Sequence, residues 1–234
     1  MKVVIIAAGL GSRLWEKTEK IPKTLLPYNN GTILSNIIAN FNAIGINNFI
    51  IVVGYQARCV ENYTAMHISG TNNIEFVTNP EWERGNGISV LAAERLLKGK
   101  SFILSMSDHI VSPTALRRIA DTEPESNYLL VDPGIDAIFD IDDATKVKCE
   151  GSRITDIGKR LTSYNAIDCG VFKLTNRYFS GMKNALLNDE ESISAAIKNL
   201  IKNNDMNAVF MSPTDRWIDI DTPEAYKYIL SNPI

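Results

Sequence analysis

The chain predicts an α/β fold, a three-layer sandwich around a mixed, mainly parallel sheet, and three observations carry that reading. Short β-branched apolar runs alternate with helical periodicity from the first residue. The early strands are continuously apolar, and no tract is repetitive or low in complexity. Apolar strands separated by helices imply right-handed crossovers and a sheet covered on both faces.

Residues 3–8 are all Val, Ile or Ala and read as a buried strand bounded by Gly9. Residues 32–44 place Ile33, Ile37, Ile38 and Phe41 on one helical face, with Gly45 as the stop. A strand at 49–53, a helical stretch through Val60 and Tyr63, a strand at 74–77, a helix at 88–97 and a strand at 102–106 follow. The second half changes character, with strands expected at 127–131, 145–149, 153–157 and 168–174 and a hairpin turn at Glu150-Gly151. Helices at 192–201 and 223–230 flank a strand at 208–211, and Thr222 and Pro223 start the last helix. Residues 132–143 are the least regular and read as a loop or small lid. No linker interrupts the pattern, so residues 1–234 are expected to form a single domain.

Composition limits the function classes. At 234 residues, 45% hydrophobic and 22% charged, the chain is ordinary globular protein. Its net charge of -3 argues against a nucleic-acid partner bound through a basic surface. Cys59, Cys149 and Cys169 form no CxxC pair and read as reduced, mostly buried thiols of a cytoplasmic protein. The apolar run after Lys2 is too short for a signal peptide, and nothing reaches the roughly 18 apolar residues of a membrane span, so no membrane insertion is expected. Oligomeric state is not encoded legibly, and a homodimer stays open.

Ala7-Ala8-Gly9-Leu10-Gly11-Ser12-Arg13-Leu14 leaves the carboxyl end of the first strand, where open α/β sheets bind ligands. Glycines there let backbone N–H groups approach phosphate oxygens, and Arg13 adds a charged fork. A dinucleotide fingerprint needs a third glycine where Leu14 stands, and a P-loop needs Gly-Lys-Ser/Thr, which is missing. Lys23, between Pro22 and Pro27, sits on a stiff backbone that aims its ammonium. Arg84-Gly85-Asn86-Gly87-Ile88-Ser89 joins a strand to a helix and suits close approach by a flat ligand, while Asn86 or Ser89 can equally cap the helix. Asp108 ends a buried strand, with His109 after it. Asp219 and Asp221 stand two apart and share one side of an extended segment. Magnesium takes one or two carboxylates plus substrate phosphates, a demand these acids meet. Asp221 also reads as an acid at a helix start beside the cap Thr222.

With those segments in view, the chain resembles the sugar-nucleotide pyrophosphorylase-like nucleotidyltransferases, which open on a strand, then A-A-G-x-G-x-R-L, then P-K. The resemblance implies a Rossmann-like, nucleotide-diphospho-sugar transferase type of fold, with a nucleotide-binding half over about 1–115 and an acceptor-binding half over about 116–234. It assigns the nucleotide to Ala7, Ala8, Gly9, Gly11, Gly85, Asn86, Gly87, Ser89 and Asp108, and phosphate neutralisation to Arg13 and Lys23. It puts the metal on Asp108, Asp219 and Asp221, and matches Lys159 to the lysine that binds the acceptor's phosphate. His109, Lys146, Asp168 and Gly170 are the further acceptor-side candidates. R-G-N-G-I-S, S-D-H, D-D-A-T-K-V-K with I-G-K, and W-I-D-I-D-T look most like the CTP:inositol-1-phosphate cytidylyltransferases. Ser107 replaces the usual glycine of Gly-Asp-His, and the membrane transferase half that often accompanies such domains is not among the 234 residues.

The implied activity is Mg²⁺-dependent transfer of CMP from CTP to a small phosphorylated acceptor such as inositol 1-phosphate, releasing pyrophosphate. Phosphocholine or phosphonate cytidylyl transfer, and UTP- or dTTP-dependent transfer to a sugar 1-phosphate, are the competing activities. A nucleotide sensor without catalysis is the non-enzymatic alternative.

Overall fold

The computed structural model describes residues 1–11, 21–68, 70–138 and 140–234. The chain opens on β1 (Lys2–Ala7), an interior strand of the sheet that is buried from Val3 onward, its alternate side chains entering opposite faces. Val3, Ile5 and Ala7 join one core, and Val4 and Ile6 join the other. Both faces are apolar, so the strand needs helices above and below.

The hairpin of β2 (Pro27–Tyr28) and β3 (Gly31–Thr32) leads into α1 (Ile33–Asn42). Thr32 and Ser35 cap that helix reciprocally. After it come β4 (Asn48–Val53), α2 (Ala57–His67), β5 (Asn73–Thr78), α3 (Asn86–Ala92), α4 (Glu94–Leu97) and β6 (Phe102–Met106). The second half adds β7 (His109–Val111), α5 (Pro113–Ala120), β8 (Tyr128–Asp132), β9 (Lys146–Glu150), β10 (Arg153–Gly158) and β11 (Ala166–Leu174). It ends with α6 (Arg177–Leu186), α7 (Ile193–Lys202), β12 (Asn207–Phe210), β13 (Trp217–Asp219) and α8 (Pro223–Ser231).

Among the described residues, nine strands form one sheet in the order β5-β4-β1-β6-β11-β8-β12-β10-β9. The four strands from β5 to β6 are parallel, as are β8 and β12. The remaining pairings of the sheet are antiparallel, so its mixed character comes from the second half. The start of β11 also pairs with β9, which curls that half toward closure. Helices α1, α2, α5 and α8 contribute to one core, and α3, α4, α6 and α7 to the other. This is the nucleotide-diphospho-sugar transferase architecture, with three layers around a mixed sheet.

Two helices were not anticipated from the sequence. In α5 the buried Ala115, Leu116 and Ile119 fill barely two turns, too few for a clear period. In α6 the buried Tyr178, Phe179, Met182 and Ala185 do follow helical spacing, but bulky aromatics at its start mask it. The helix expected over 88–97 is divided at Ala93 into α3 and α4. Thr222 caps α8 through its side chain, as the sequence indicates. Among the described residues, no helix is long and apolar enough to cross a membrane.

Asn127, fully buried, fastens the base of the second half. Its Oδ1 accepts from the Thr175 backbone N–H at 2.7 Å, and its Nδ2 donates to the Asp205 carbonyl at 3.1 Å. Replacing Asn127 with Ala leaves buried polar groups unpaired, so a loss of about 2–3 kcal/mol is expected. A lower urea midpoint with an unchanged m-value is the result to look for.

Candidate active site

The site forms where β1 and β6 end side by side and the connections leave in opposite directions, the switch point at which open α/β sheets accept ligands. Two cavities meet there. One of about 300 Å³ is lined by Ala7, Ala8, Gly9, Gly11, Lys23 and Thr24 on one side and by Trp82, Arg84, Asn86 and Ser89 on the other. A second of about 250 Å³ is lined by His109, Asp140, Asp143, Lys159, Asp168, Gly170, Ser194, Trp217 and Asp219. Asn86, Met106, Asp108 and Asp221 border both.

Lys23 stands at the junction, its side chain only 9% exposed. It opens a short 3-10 turn (Lys23–Leu25) after Pro22, and Gly11, at φ 66°, makes room for its stem: a Cβ there would lie 2.8 Å from the Lys23 Cβ. The ammonium lies 2.8 Å from Asp108 Oδ2 and 2.5 Å from Asp221 Oδ1. Burial alone would lower its pKa, but Asp108, Asp221 and Asp219 hold it above the ordinary lysine value. Burial would likewise raise the Asp108 carboxyl, yet Lys23 and then His109 keep it far below the usual carboxylate range.

A short ladder sets the other acid. β13 pairs antiparallel with β7, placing Asp219 opposite His109 and Ile218 opposite Ile110, and the Ile220 N–H donates to the Asp108 carbonyl at 2.9 Å. His109 Nδ1 sits 2.7 Å from Asp108 Oδ1 and 3.7 Å from Asp219 Oδ1. Its ring stacks on Trp217 at a centroid distance of 5.8 Å, and the Trp217 indole N–H donates to Asp132 Oδ2 at 2.8 Å. Burial opposes the imidazolium, but Asp219 and Asp108 raise its pKa to about 9. Burial pushes Asp219 up to about 6 and Asp168 to about 6.

These side chains fit a divalent cation. Ligand atoms of Asp108, His109 and Asp219 lie within 4.8 Å of one another. Asp219 Oδ1 is buried without a hydrogen-bond partner among the described residues, a state that a hard cation would relieve. Asp221 joins the same cluster through Lys23, whose ammonium it shares with Asp108.

The remaining candidates divide. Lys159 faces the smaller cavity and pairs with Asp143, its Nζ 2.9 Å from both carboxylate oxygens. Lys146 is buried and donates to the Asp142 carbonyl at 2.7 Å, away from the lining. The N–H groups of Gly85 and Gly87 are taken by Glu191, and Asn86 Oδ1 accepts from the Ile193 N–H of α7 and so caps a helix other than its own. Ser89 Oγ accepts from Asn79. Arg13 lies outside the described residues. Sequence reasoning missed Thr24, which borders the larger cavity and whose hydroxyl is buried without a partner among the described residues, and Trp217, which was visible in the W-I-D-I-D-T segment.

Gly170 completes the pocket by its lack of a side chain. It has φ 73° at an irregularity between β11 and β8, and a Cβ would fall 2.4 Å from His109 Cδ2. Gly170→Ala is therefore expected to push the imidazole off Asp108 and to bring the His109 pKa down from about 9 toward the ordinary histidine value. NMR titration of the imidazole checks this.

Comparison with known proteins agrees with this geometry. A bifunctional IPC transferase and DIPP synthase of Aquifex aeolicus (strain VF5) is 33% identical over 99% of this chain and 52% of its own length. The protein of the same name from Thermococcus kodakarensis is 32% identical over 97% of this chain and 49% of its own. The chain thus spans about half the length of these curated relatives. The solved inositol-1-phosphate CTP transferase from T. maritima superposes with a TM-score of 0.85 at 25% identity, covering 98% of this chain and 94% of that one. Residues 3–135 match the MobA-like NTP transferase domain, and the chain belongs to that family of nucleotidyltransferases.

Proposed function

We propose that this nucleotidyltransferase moves CMP from CTP to inositol 1-phosphate, using Mg²⁺ and releasing pyrophosphate. The observation that carries this reading is the buried Lys23 ammonium between Asp108 and Asp221, where the two cavities meet. The relatives named for inositol phosphate chemistry support the choice of acceptor, and R-G-N-G-I-S supports cytidine.

The nucleotide lies in the cavity of the glycine-bearing loop, its phosphates against the backbone of residues 8–11 and Lys23, with Arg13 as the second cation. The base faces Trp82, Asn86 and Ser89. The acceptor occupies the cavity of Lys159, Asp168 and Gly170. Its phosphate takes Lys159 from Asp143, and its hydroxyls meet Asp168. A phosphate oxygen already ionised at neutral pH then attacks the α-phosphorus of CTP in line with the departing pyrophosphate. No base has to remove a proton from that nucleophile. Lys23 and Lys159 neutralise charge from opposite sides and orient the two phosphates. Asp108 and Asp219 would hold Mg²⁺, which when bound supplies charge neutralisation on the triphosphate.

Pyrophosphate release from each of four NTPs, paired with inositol 1-phosphate, glucose 1-phosphate, phosphocholine and an aminoalkyl phosphonate, tests the assignment. CTP with inositol 1-phosphate is expected to be fastest; preference for another pair would overturn the reading at the base or at the acceptor. Lys23→Met is expected to reduce turnover on the order of 10²-fold or more. Asp219→Asn is expected to raise the Mg²⁺ concentration needed for half-maximal rate, and chelation with EDTA to abolish activity. Wild-type turnover in both variants would refute the site.

A further inference from the structure

One residue reaches across the fold to three next to the candidate base site, holding two through its side chain and the third through its backbone carbonyl. Glu191, in the connection between α6 and α7, receives Arg84 through Nε at 2.9 Å and a terminal nitrogen at 2.6 Å, both on Oε1. Its Oε2 accepts from the Gly85 N–H at 2.9 Å, and its backbone carbonyl accepts from the Gly87 N–H at 2.9 Å. Returning the contact, Asn86 Oδ1 accepts from the Ile193 N–H at 2.9 Å. A Cβ on Gly85 would stand 2.5 Å from Glu191 atoms, and one on Gly87 would stand 2.5 Å from Met182 Sδ and 2.6 Å from the Glu191 carbonyl oxygen. Glu191 therefore requires the first glycine of R-G-N-G, and Glu191 and Met182 together require the second. That reading differs from the one the sequence suggests, in which the glycines make way for a flat ligand.

The two ends of this clasp lie on different cavities. Arg84 and Asn86 line the one assigned to the nucleotide, while Asn86, Ile193 and Ser194 line the one assigned to the acceptor. We propose that Glu191 is a positioning residue that fixes the Arg84–Gly87 segment for nucleotide binding and, through the Asn86–Ile193 contact, couples occupancy of the two cavities. A nucleotide that settles against Arg84 and Asn86 thereby also settles the start of α7, and an acceptor held at Ile193 and Ser194 returns the same coupling. The charge pair is half-exposed, and such pairs contribute little to global stability, so the effect belongs to ligand binding rather than to folding.

This inference rests on the two-cavity assignment under the proposed function, and the test separates the two. The full chain carrying Glu191→Ala or Glu191→Gln is titrated with each of the four NTPs in the presence of Mg²⁺, by calorimetry and by the fluorescence of its tryptophans, Trp82 among them. Inositol 1-phosphate is then titrated alone and with a saturating non-hydrolysable analogue of the NTP that the wild type prefers. Expected for Glu191→Ala is about tenfold weaker nucleotide binding. Its affinity for inositol 1-phosphate alone should stay within twofold of wild type, and the gain in acceptor affinity that the nucleotide brings to the wild type should shrink, while Asn86→Ala, which removes the contact to the Ile193 N–H, should abolish that gain. Glu191→Gln, which can still accept from the Gly85 N–H, regains most of the nucleotide affinity. Unchanged nucleotide binding in Glu191→Ala overturns the proposal, as does a wild type whose acceptor affinity ignores the nucleotide. Equal weakening of both ligands alongside a lower melting temperature overturns it too, because that marks a purely structural role. A wild type that prefers UTP defeats the cytidylyl reading and leaves the Glu191 comparison standing with UTP as probe.

Discussion

The Lys23 ammonium is the charge on which the rest of the site depends. Asp108, Asp219 and Asp221 converge from two segments more than a hundred residues apart, and burial opposes the ionised form of Asp108 and of Asp219. One cation inside hydrogen-bond reach of two of them keeps Asp108 ionised without solvent. Its placement follows from local sequence: Pro22 removes backbone freedom before it, and Gly11 leaves space for its stem. Asp219 is left with a buried oxygen that nothing described in the chain satisfies, which makes the cluster ready for a divalent ion.

What could be read from the sequence was whatever is encoded locally. The continuously apolar β1, the cap at Thr222, and the positive-φ turn at Gly151 all declare themselves within a few residues. Lys23, Asp108 and Asp219 were recognisable for the same reason, each sitting in a short distinctive segment. The geometry that unites them was not. That Asp219 faces His109 depends on the register of a three-residue ladder between β7 and β13, which no periodicity in either segment specifies. Asp221 read both as a metal candidate and as an acid at a helix start; the chain leaves the strand after Asp219, and the Asp221 carboxylate lies against Lys23. Glu191 carried no signal at all, because a lone acid in a loop is indistinguishable from a solvated one until its partners are known. Lys146 shows the converse case: a basic residue near the right motif, folded inward onto a carbonyl.

The mixed pairing of the sheet gives the two sides of the site different kinds of wall. The larger cavity is built from loops at the ends of parallel strands, where backbone N–H groups and helix starts are available. The smaller one is built from antiparallel strands and their irregularities and is lined by side chains such as Asp168 and Lys159. Gly170 belongs to the second kind, since its missing side chain is what admits the His109 ring.

Strand β11 has a mechanical consequence. It is bonded along one edge to β6 and along the other to β8, with its first residues also reaching β9. Swinging one half of the molecule away from the other would have to tear main-chain bonds in the middle of the sheet, so a jaw-like opening about a hinge is denied to this fold. Whatever shields the reacting phosphates from bulk water has to be drawn from the rim, by chain segments folding over a floor that does not move.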